Sequence, residues 1–297
     1  MIKVQIPATS ANIGSGFDSL GLAVTMYNTI EMEEADCLDI QALDGIPIPV
    51  DENNLVYQSV KYIYDLCGKP MKGMKIRQTN KIPMARGLGS SSACTVGGIV
   101  GANHLLGGPL CQRELVNIAA TLEGHPDNST PALLGGLVTA VLEKGKVYYV
   151  KQAIAQDLRF VAIIPNFELK TSFARQALPR DVSHKDAVFN LSRSALMSVS
   201  LYSGNYHNLK IACDDRLHQP YRLSLIDGAH EVFDLAYQCG AYAMYISGAG
   251  STLMAIVNSE KTDFAQQMRV GCDEMGLNQW QIHELSVTNV GARVLED

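Results

Sequence analysis

The segment Pro83-Met84-Ala85-Arg86-Gly87-Leu88-Gly89-Ser90-Ser91-Ser92-Ala93 constrains this chain more than any other stretch of it. Two glycines bracket one apolar residue, three hydroxyls follow, and the sequence then runs to Leu105 without proline, as a helix would. Glycine admits the positive φ of a tight turn and lets the backbone come close to a ligand. Consecutive amides in such a turn form an anion-binding concavity, and the N-terminus of the following helix adds partial positive charge. The hydroxyls can donate to phosphate oxygens or ligate Mg²⁺. These features describe a triphosphate cradle. It is not GxxxxGK[ST], because Ser90 stands where the lysine belongs, nor GxGxxG, which fails at Ser92.

Charge narrows the ligand. The chain carries 24 Lys and Arg against 30 Asp and Glu, a formal net charge of −6, with no basic block. Nucleic acid and anionic membranes are therefore not expected as partners, and a small anion would have to be held by local amides and a few placed cations. At 297 residues, 47% of them hydrophobic, the chain suits one large or two medium soluble domains. Seven cysteines (37, 67, 94, 111, 213, 239 and 272) show no CxxC pair and read as reduced, packed thiols. The first residues alternate like a strand rather than a signal peptide, and the apolar stretch 131–142 is too short to span a bilayer. A cytoplasmic protein is expected.

Hydrophobic spacing predicts strands at 2–6, 22–32, 74–78 and 160–164 and a hairpin at 137–142 and 146–150. It predicts helices at 55–66, 91–105 and 111–122, and further strands at 243–246 and 253–257. No linker marks a boundary, and the change of domain is placed between 154 and 155. The mixture of periods gives an α+β class.

Three polar segments carry further chemistry. The long loop after the first strand holds Asn12 and Asp18, which could accept from a substrate ammonium or cap turns. Glu123 closes a helix, where a carboxylate opposes the dipole and calls for a cation. Arg175 and Arg222 offer the planar fork that matches a carboxylate, although most arginines serve surface ion pairs.

The string 83–93, the loop 7–21 (Pro-Ala-Thr-Ser-Ala-Asn-Ile-Gly-Ser-Gly-Phe-Asp-Ser-Leu-Gly) and Ser247-Gly248-Ala249-Gly250-Ser251-Thr252 resemble the three motifs of the GHMP kinases, in order and across the whole length. Glu123-Gly124-His125-Pro126-Asp127-Asn128, Lys170-Thr171-Ser172-Phe173-Ala174-Arg175 and Asp215-Arg216-Leu217-His218-Gln219-Pro220-Tyr221-Arg222 are similar to the homoserine kinase branch of that family. The resemblance implies a two-domain fold, the first like domain 2 of ribosomal protein S5 (1–154) and the second ferredoxin-like (155–297). It implies ATP-dependent phosphorylation of the L-homoserine hydroxyl in threonine biosynthesis, with Mg²⁺, in a homodimer.

By the same resemblance, Pro83, Arg86, Gly87, Leu88, Gly89, Ser90, Ser91, Ser92 and Ala93 bind the nucleotide, and Ser91 and Glu123 hold Mg²⁺. Asn12, Asp18, His125, Arg175 and Arg222 hold homoserine, while Asn128 and Thr171 sit near the reacting hydroxyl. Adenine is expected near residues 53–62. Where mevalonate kinase-like relatives carry a candidate base, this chain offers Asn128, which cannot take a proton; Asp127 is the alternative base. Ser15 and Ser251 replace residues that are often Pro in the family, so looser turns are expected there. A kinase for another small alcohol, or a ligand sensor without turnover, are the rival readings. Intact Gly87, Gly89, Ser91 and Glu123 weigh against the sensor.

Overall fold

The computed structural model describes residues 1–154 and 157–296. Ala155, Gln156 and Asp297 lie outside the described residues, so the expected boundary between 154 and 155 falls on a segment that is not described.

The chain opens with two long antiparallel strands, β1 (Ile2–Ala11) and β2 (Leu20–Ala35), joined by the polar loop. Next come β3 (Asp39–Ala42), α1 (Leu55–Leu66), β4 (Gly73–Asn80), α2 (Ser90–Leu105), α3 (Gln112–Glu123) and α4 (Ser129–Leu134). The hairpin β5 (Leu137–Glu143) and β6 (Lys146–Gln152) leads to β7 (Leu158–Ile164), α5 (Thr171–Gln176), α6 (His184–Ser203), α7 (Leu209–Ala212), α8 (Gln219–Leu223) and α9 (Ala229–Gln238). The chain ends with β8 (Ala243–Ile246), β9 (Leu253–Asn258), α10 (Phe264–Glu274), β10 (Gln281–Leu285) and β11 (Arg293–Leu295).

Two sheets form. The first runs β11-β1-β2-β4-β3, with β5 on the end of β2 and β6 beyond it; the second is antiparallel, β10-β7-β9-β8. β11 returns the end of the chain to the first sheet, beside β1. β7, β8 and β9 of the second sheet are buried on both faces, and their alternation sorts them. Phe160, Ala162, Met254 and Ile256 turn toward the large core shared with the first sheet. Val161, Ile163, Ala255 and Val257 turn toward a smaller core under α9 and α10. Trp280 belongs to that second core, as packing alone.

α2 is the axis of the first half. Gly97 and Gly98 let it sink between sheet and α1: a Cβ would come within 2.4 Å of Ile30 at the first and 2.6 Å of the Val56 carbonyl at the second. α1 begins at the expected residue because Asn54 caps it, accepting from the amides of Val56 and Tyr57 at 2.9 and 3.3 Å. A register shift between Pro7 and Ala8 re-aims the end of β1. Beyond it Thr9 and Ser10 point to opposite sides, one toward α4 and the other toward β8.

Candidate active site

Where the two halves meet, the end of β1, the start of α2, the 123–128 loop, α5 and α8 enclose a cleft of about 370 Å³. The glycine loop forms its floor. Gly87 and Gly89 hold φ of 79° and 72°, and Gly89 caps α2 from the left-handed region. The first intrahelical bond runs from Ala93 N to Gly89 O (2.8 Å), so the amides of Ser90, Ser91 and Ser92 have no partner within the helix. These three amides lie where the sequence places its expected anion cradle.

The loop is gripped from the second half. Ser247 Oγ donates to Gly87 O (2.7 Å), Thr252 N donates to Arg86 O (3.0 Å), and a Cβ on Gly87 would stand 2.1 Å from Ser247 O. Only glycine permits that approach. Buried Ser10 completes the grip, with hydrogen bonds to Ser247 Oγ (2.7 Å) and Tyr245 OH (2.9 Å).

Three residues of the expected nucleotide-binding string do not line the cleft. Leu88 and Ala93 are wholly buried core residues, and Pro83 lies outside the lining. Arg86 does line it, but its guanidinium is spent on carbonyls: Nε on Pro165 O (3.1 Å), Nη1 on Met84 O and Nη2 on Asn166 O (3.3 Å each). It ties the loop to the second half.

Glu123 ends α3 against Gly124, whose φ is 80°. Its Oε2 accepts from Ser92 Oγ rather than from Ser91, and Oε1 is buried without a hydrogen-bond partner. Burial pushes this carboxyl above its usual range, so a cation beside it would be favoured. Ser91 is exposed and lines the same cleft. Among the described residues there is no cluster of three or more His, Cys, Asp or Glu around a point. One carboxylate plus hydroxyls suits Mg²⁺, which keeps waters and takes its remaining ligands from bound phosphates.

Asn128 Oδ1 accepts from Thr9 Oγ1 at 2.8 Å, which leaves the amide NH₂ as its remaining donor. Thr9 also packs under the glycine loop, where a Cβ on Gly89 would come within 2.0 Å of its Oγ1. His125 Nδ1 lies 2.7 Å from Asp127 Oδ1, and that contact raises the imidazole above its usual value. Thr171, the first residue of α5, is exposed to the cleft.

The last corner gathers the charged residues. Asp18 and Arg175 pair with each other at 2.9 and 3.3 Å. Asn12 is an organiser: its Oδ1 accepts from Asp18 N and its Nδ2 donates to Gly248 O, both at 2.8 Å. Arg222 is 1% exposed, donates from Nη1 to Gly248 O (3.0 Å), and makes no ion pair among the described residues. Burial, then the like charge of Arg175, pushes its guanidinium down to about 10. A buried cation without a counter-charge would be stabilised by an anion.

The loop is firmer than expected at Ser15. Its hydroxyl donates to Ala212 O (2.8 Å) and its carbonyl accepts from Asn190 (3.1 Å), a tie that proline could not donate. Ser251 is likewise buried and bonded to Phe167 O (3.0 Å). His218 holds Gly14 O (2.8 Å) and stacks on Phe17.

The nine residues placed at substrate, metal or reacting hydroxyl, Ser91 among them, and the alternative base Asp127 thus line one cleft, although 237 positions separate Asn12 from Ala249 on its rim. Thr9, Ser10, Ser247 and His218 were not foreseen in their supporting parts. For Thr9 and Ser10 the signal was a pair of hydroxyls at the end of a strand.

The family model for the GHMP kinases N terminal domain matches residues 54–136, and that for the GHMP kinases C terminal matches residues 197–269. A homoserine kinase of Clostridium beijerinckii is 45% identical over 298 aligned residues, covering 100% of this chain and 99% of that protein. A crystal structure of homoserine kinase from Cytophaga hutchinsonii superposes with a TM-score of 0.88 at 30% identity, covering 99% of this chain and 97% of the other. The Methanococcus jannaschii mevalonate kinase structure shares the fold, with a TM-score of 0.71 at 15% identity over 96% of this chain and 98% of the other.

Proposed function

The chain belongs to the homoserine kinase family of the GHMP kinases, and we propose that the cleft between its two halves is where phosphoryl transfer takes place. The enzyme transfers the γ-phosphoryl group of ATP to the hydroxyl of L-homoserine, giving O-phospho-L-homoserine. That product belongs to the threonine pathway.

One observation carries the placement of the chemistry. Free amides at the start of α2, a buried carboxylate with an orphan oxygen, and a buried unpaired guanidinium open into the same space. Polyphosphate, divalent cation and amino-acid carboxylate are the three charges those groups would neutralise.

In this reading the amides of Ser90, Ser91 and Ser92 bind the phosphates. Glu123 and Ser91 hold Mg²⁺, which when bound offsets charge on the phosphoryl oxygens. Arg222, with Arg175, takes the homoserine carboxylate; Asp18 and the free lone pair of Asn12 Oδ1 take the ammonium, and His125 lines the same corner. Thr171 and the Asn128 amide orient the hydroxyl. Asn128 accepts no proton, and Asp127 already carries the His125 contact. The hydroxyl proton therefore passes to an oxygen of the phosphoryl group, and catalysis rests on positioning and electrostatics. Leu55 and Leu122, exposed residues of the cleft lining, provide apolar surface for the adenine. We also read the enzyme as a homodimer, as the family resemblance implies.

A coupled assay of ADP release with and without homoserine, extended to a panel of amino and hydroxy alcohols, tests the reading. ADP release that depends on homoserine and exceeds that on the other acceptors is the expected result. Release indifferent to homoserine would overturn it.

A further inference from the structure

α6, the longest helix among the described residues, leaves one whole face without a partner. Its inner face sends Met197 and Leu201 into the core, and Asn190 there holds both Ser15 O (3.1 Å) and Arg216 N (2.8 Å). Its outer face carries Val188, Leu191, Ala195, Val199 and Tyr202, all exposed, with Leu191 at 72% and Tyr202 at 69%. Asp186 and Arg193 lie on the opposite side, where Arg193 stacks on Phe189, so no charge interrupts the stripe. Monomeric proteins rarely expose a continuous apolar strip of this length.

The spacing of the stripe names its occupant. Leu191 and Val199 stand four residues either side of Ala195, and Val188 and Tyr202 stand seven either side. Such a palindrome is matched by itself under a two-fold axis: an antiparallel second copy would set Val188 against Tyr202 and Leu191 against Val199. The smallest side chain, Ala195, then falls at the crossing, where the two backbones come nearest. Antiparallel pairing also opposes the helix dipoles favourably.

The patch continues onto the hairpin. Thr139 Oγ1 lies 3.3 Å from Ser198 Oγ of α6. Val141 shares the Thr139 face of β5, and their cross-strand partners Tyr148 and Val150 share it too. These three are more than half exposed. Side chains of this size and exposure sum to on the order of 900 Å² per copy, against the ~800 Å² per partner of a standard interface.

We propose that the outer face of α6 and the adjoining face of the β5–β6 hairpin form the two-fold interface of a homodimer crossing at Ala195. This rests on the homodimer reading above and says where that dimer is made. Because the inner face of the same helix grips the Ser15 carbonyl, the interface also braces the substrate loop from behind.

Sedimentation velocity on the full-length protein provides the test, with Leu191→Glu and Val199→Glu beside the wild type. Both sites are exposed in the monomer, so the variants should fold, as circular dichroism would check. The wild type should sediment as a dimer, and each variant should dissociate with at least a tenfold higher dissociation constant. The two-fold crossing is tested separately by Ala195→Cys in a Cys37→Ser, Cys111→Ser background. Oxidised glutathione should then link two copies through residue 195, and should fail to link Ser192→Cys, which lies off the axis. A wild type that is monomeric would overturn the homodimer and this surface together. A dimer indifferent to both glutamates and not linked at 195 would overturn this surface alone.

Discussion

Asp18 and Arg175 hold each other across the mouth of the cleft, one from the loop after β1 and the other from α5. Both are about two-fifths exposed, at 36% and 41%, so water screens the pair and little stability depends on it. A carboxylate and a guanidinium are also the two groups that a zwitterion satisfies in reverse. An entering amino acid would exchange one ion pair for two, which an amino alcohol could not do.

Arg175→Met should therefore raise KM for homoserine about ten- to a hundredfold, the effect of losing one charge-assisted contact worth about 1.5–3 kcal/mol. Tm and ATP affinity should stay near those of the wild type. Steady-state kinetics with a parallel thermal melt decide it. A lowered Tm with unchanged KM would make Arg175 a scaffold residue.

Glu123 carries an opposite balance of stability and function. Its carboxyl is buried, raised by desolvation, and leaves Oε1 without a partner. Glu123→Gln keeps the shape and removes the charge, so turnover should fall by about 10²–10³ while Tm holds or rises. Ser91→Ala should lower turnover without that gain in Tm. A Glu123→Gln enzyme with wild-type turnover at limiting Mg²⁺ would remove the metal from this site.

Thr9 touches the glycine loop on one side and Asn128 on the other. Thr9→Val keeps the volume but leaves Asn128 free to turn, so kcat should fall about tenfold, the worth of roughly one hydrogen bond. The KM for ATP should not move, and Thr9→Ser should restore most of the rate. If serine rescues nothing, the methyl group and not the hydroxyl is what the site needs.

Thr9 also shows where the sequence stops being readable. The glycine loop, the helix after it and the start of α1 were legible because each rests on neighbours within a few positions. Gly89 sets the start of α2, and Asn54 caps the helix beside it. The grip on Asn128 spans 119 positions, and that of Ser10 on Ser247 spans 237. No local rule foretells such pairs. Glu123 was legible as the carboxylate that closes α3, but its hydrogen bond from Ser92 was set by which face of α2 meets α3. The ties of Arg86 escaped for the same reason, since the carbonyls it binds come from residues 165 and 166. Short edge strands such as β3 and β11 carry too few residues to show a period.

His125 makes stability depend on pH. The Asp127 contact favours the imidazolium, so the folded-state pKa lies above the usual value near 6.5. The stabilisation is then complete below the unfolded value and is lost as pH rises through the folded one. Tm should decline as pH is raised from about 6.5, and Asp127→Asn should flatten that slope. Thermal melts of both proteins across neutral pH are the measurement, and equal slopes would deny the coupling. If Asp127 is no base, the same variant should also keep appreciable turnover, since losing a general base costs roughly 10²–10⁴-fold.

Arg222 is the strictest test of the substrate assignment, because the buried guanidinium has a structural tie as well. It donates to Gly248 O beside the glycine loop, and its Nε has no partner. Arg222→Met should therefore lower Tm, and loss of activity on homoserine alone would not tell substrate binding from misfolding. The acceptor 3-aminopropan-1-ol separates the two, since it keeps the ammonium and hydroxyl but lacks the carboxylate. The wild type should use it poorly. Assayed well below its Tm, Arg222→Met should lose about ten- to a hundredfold on homoserine and little further on the amino alcohol, whose missing carboxylate leaves no contact to remove. Equal fractional losses on both acceptors would mean that Arg222 serves only the Gly248 turn, and the carboxylate would then have to be placed on Arg175 alone.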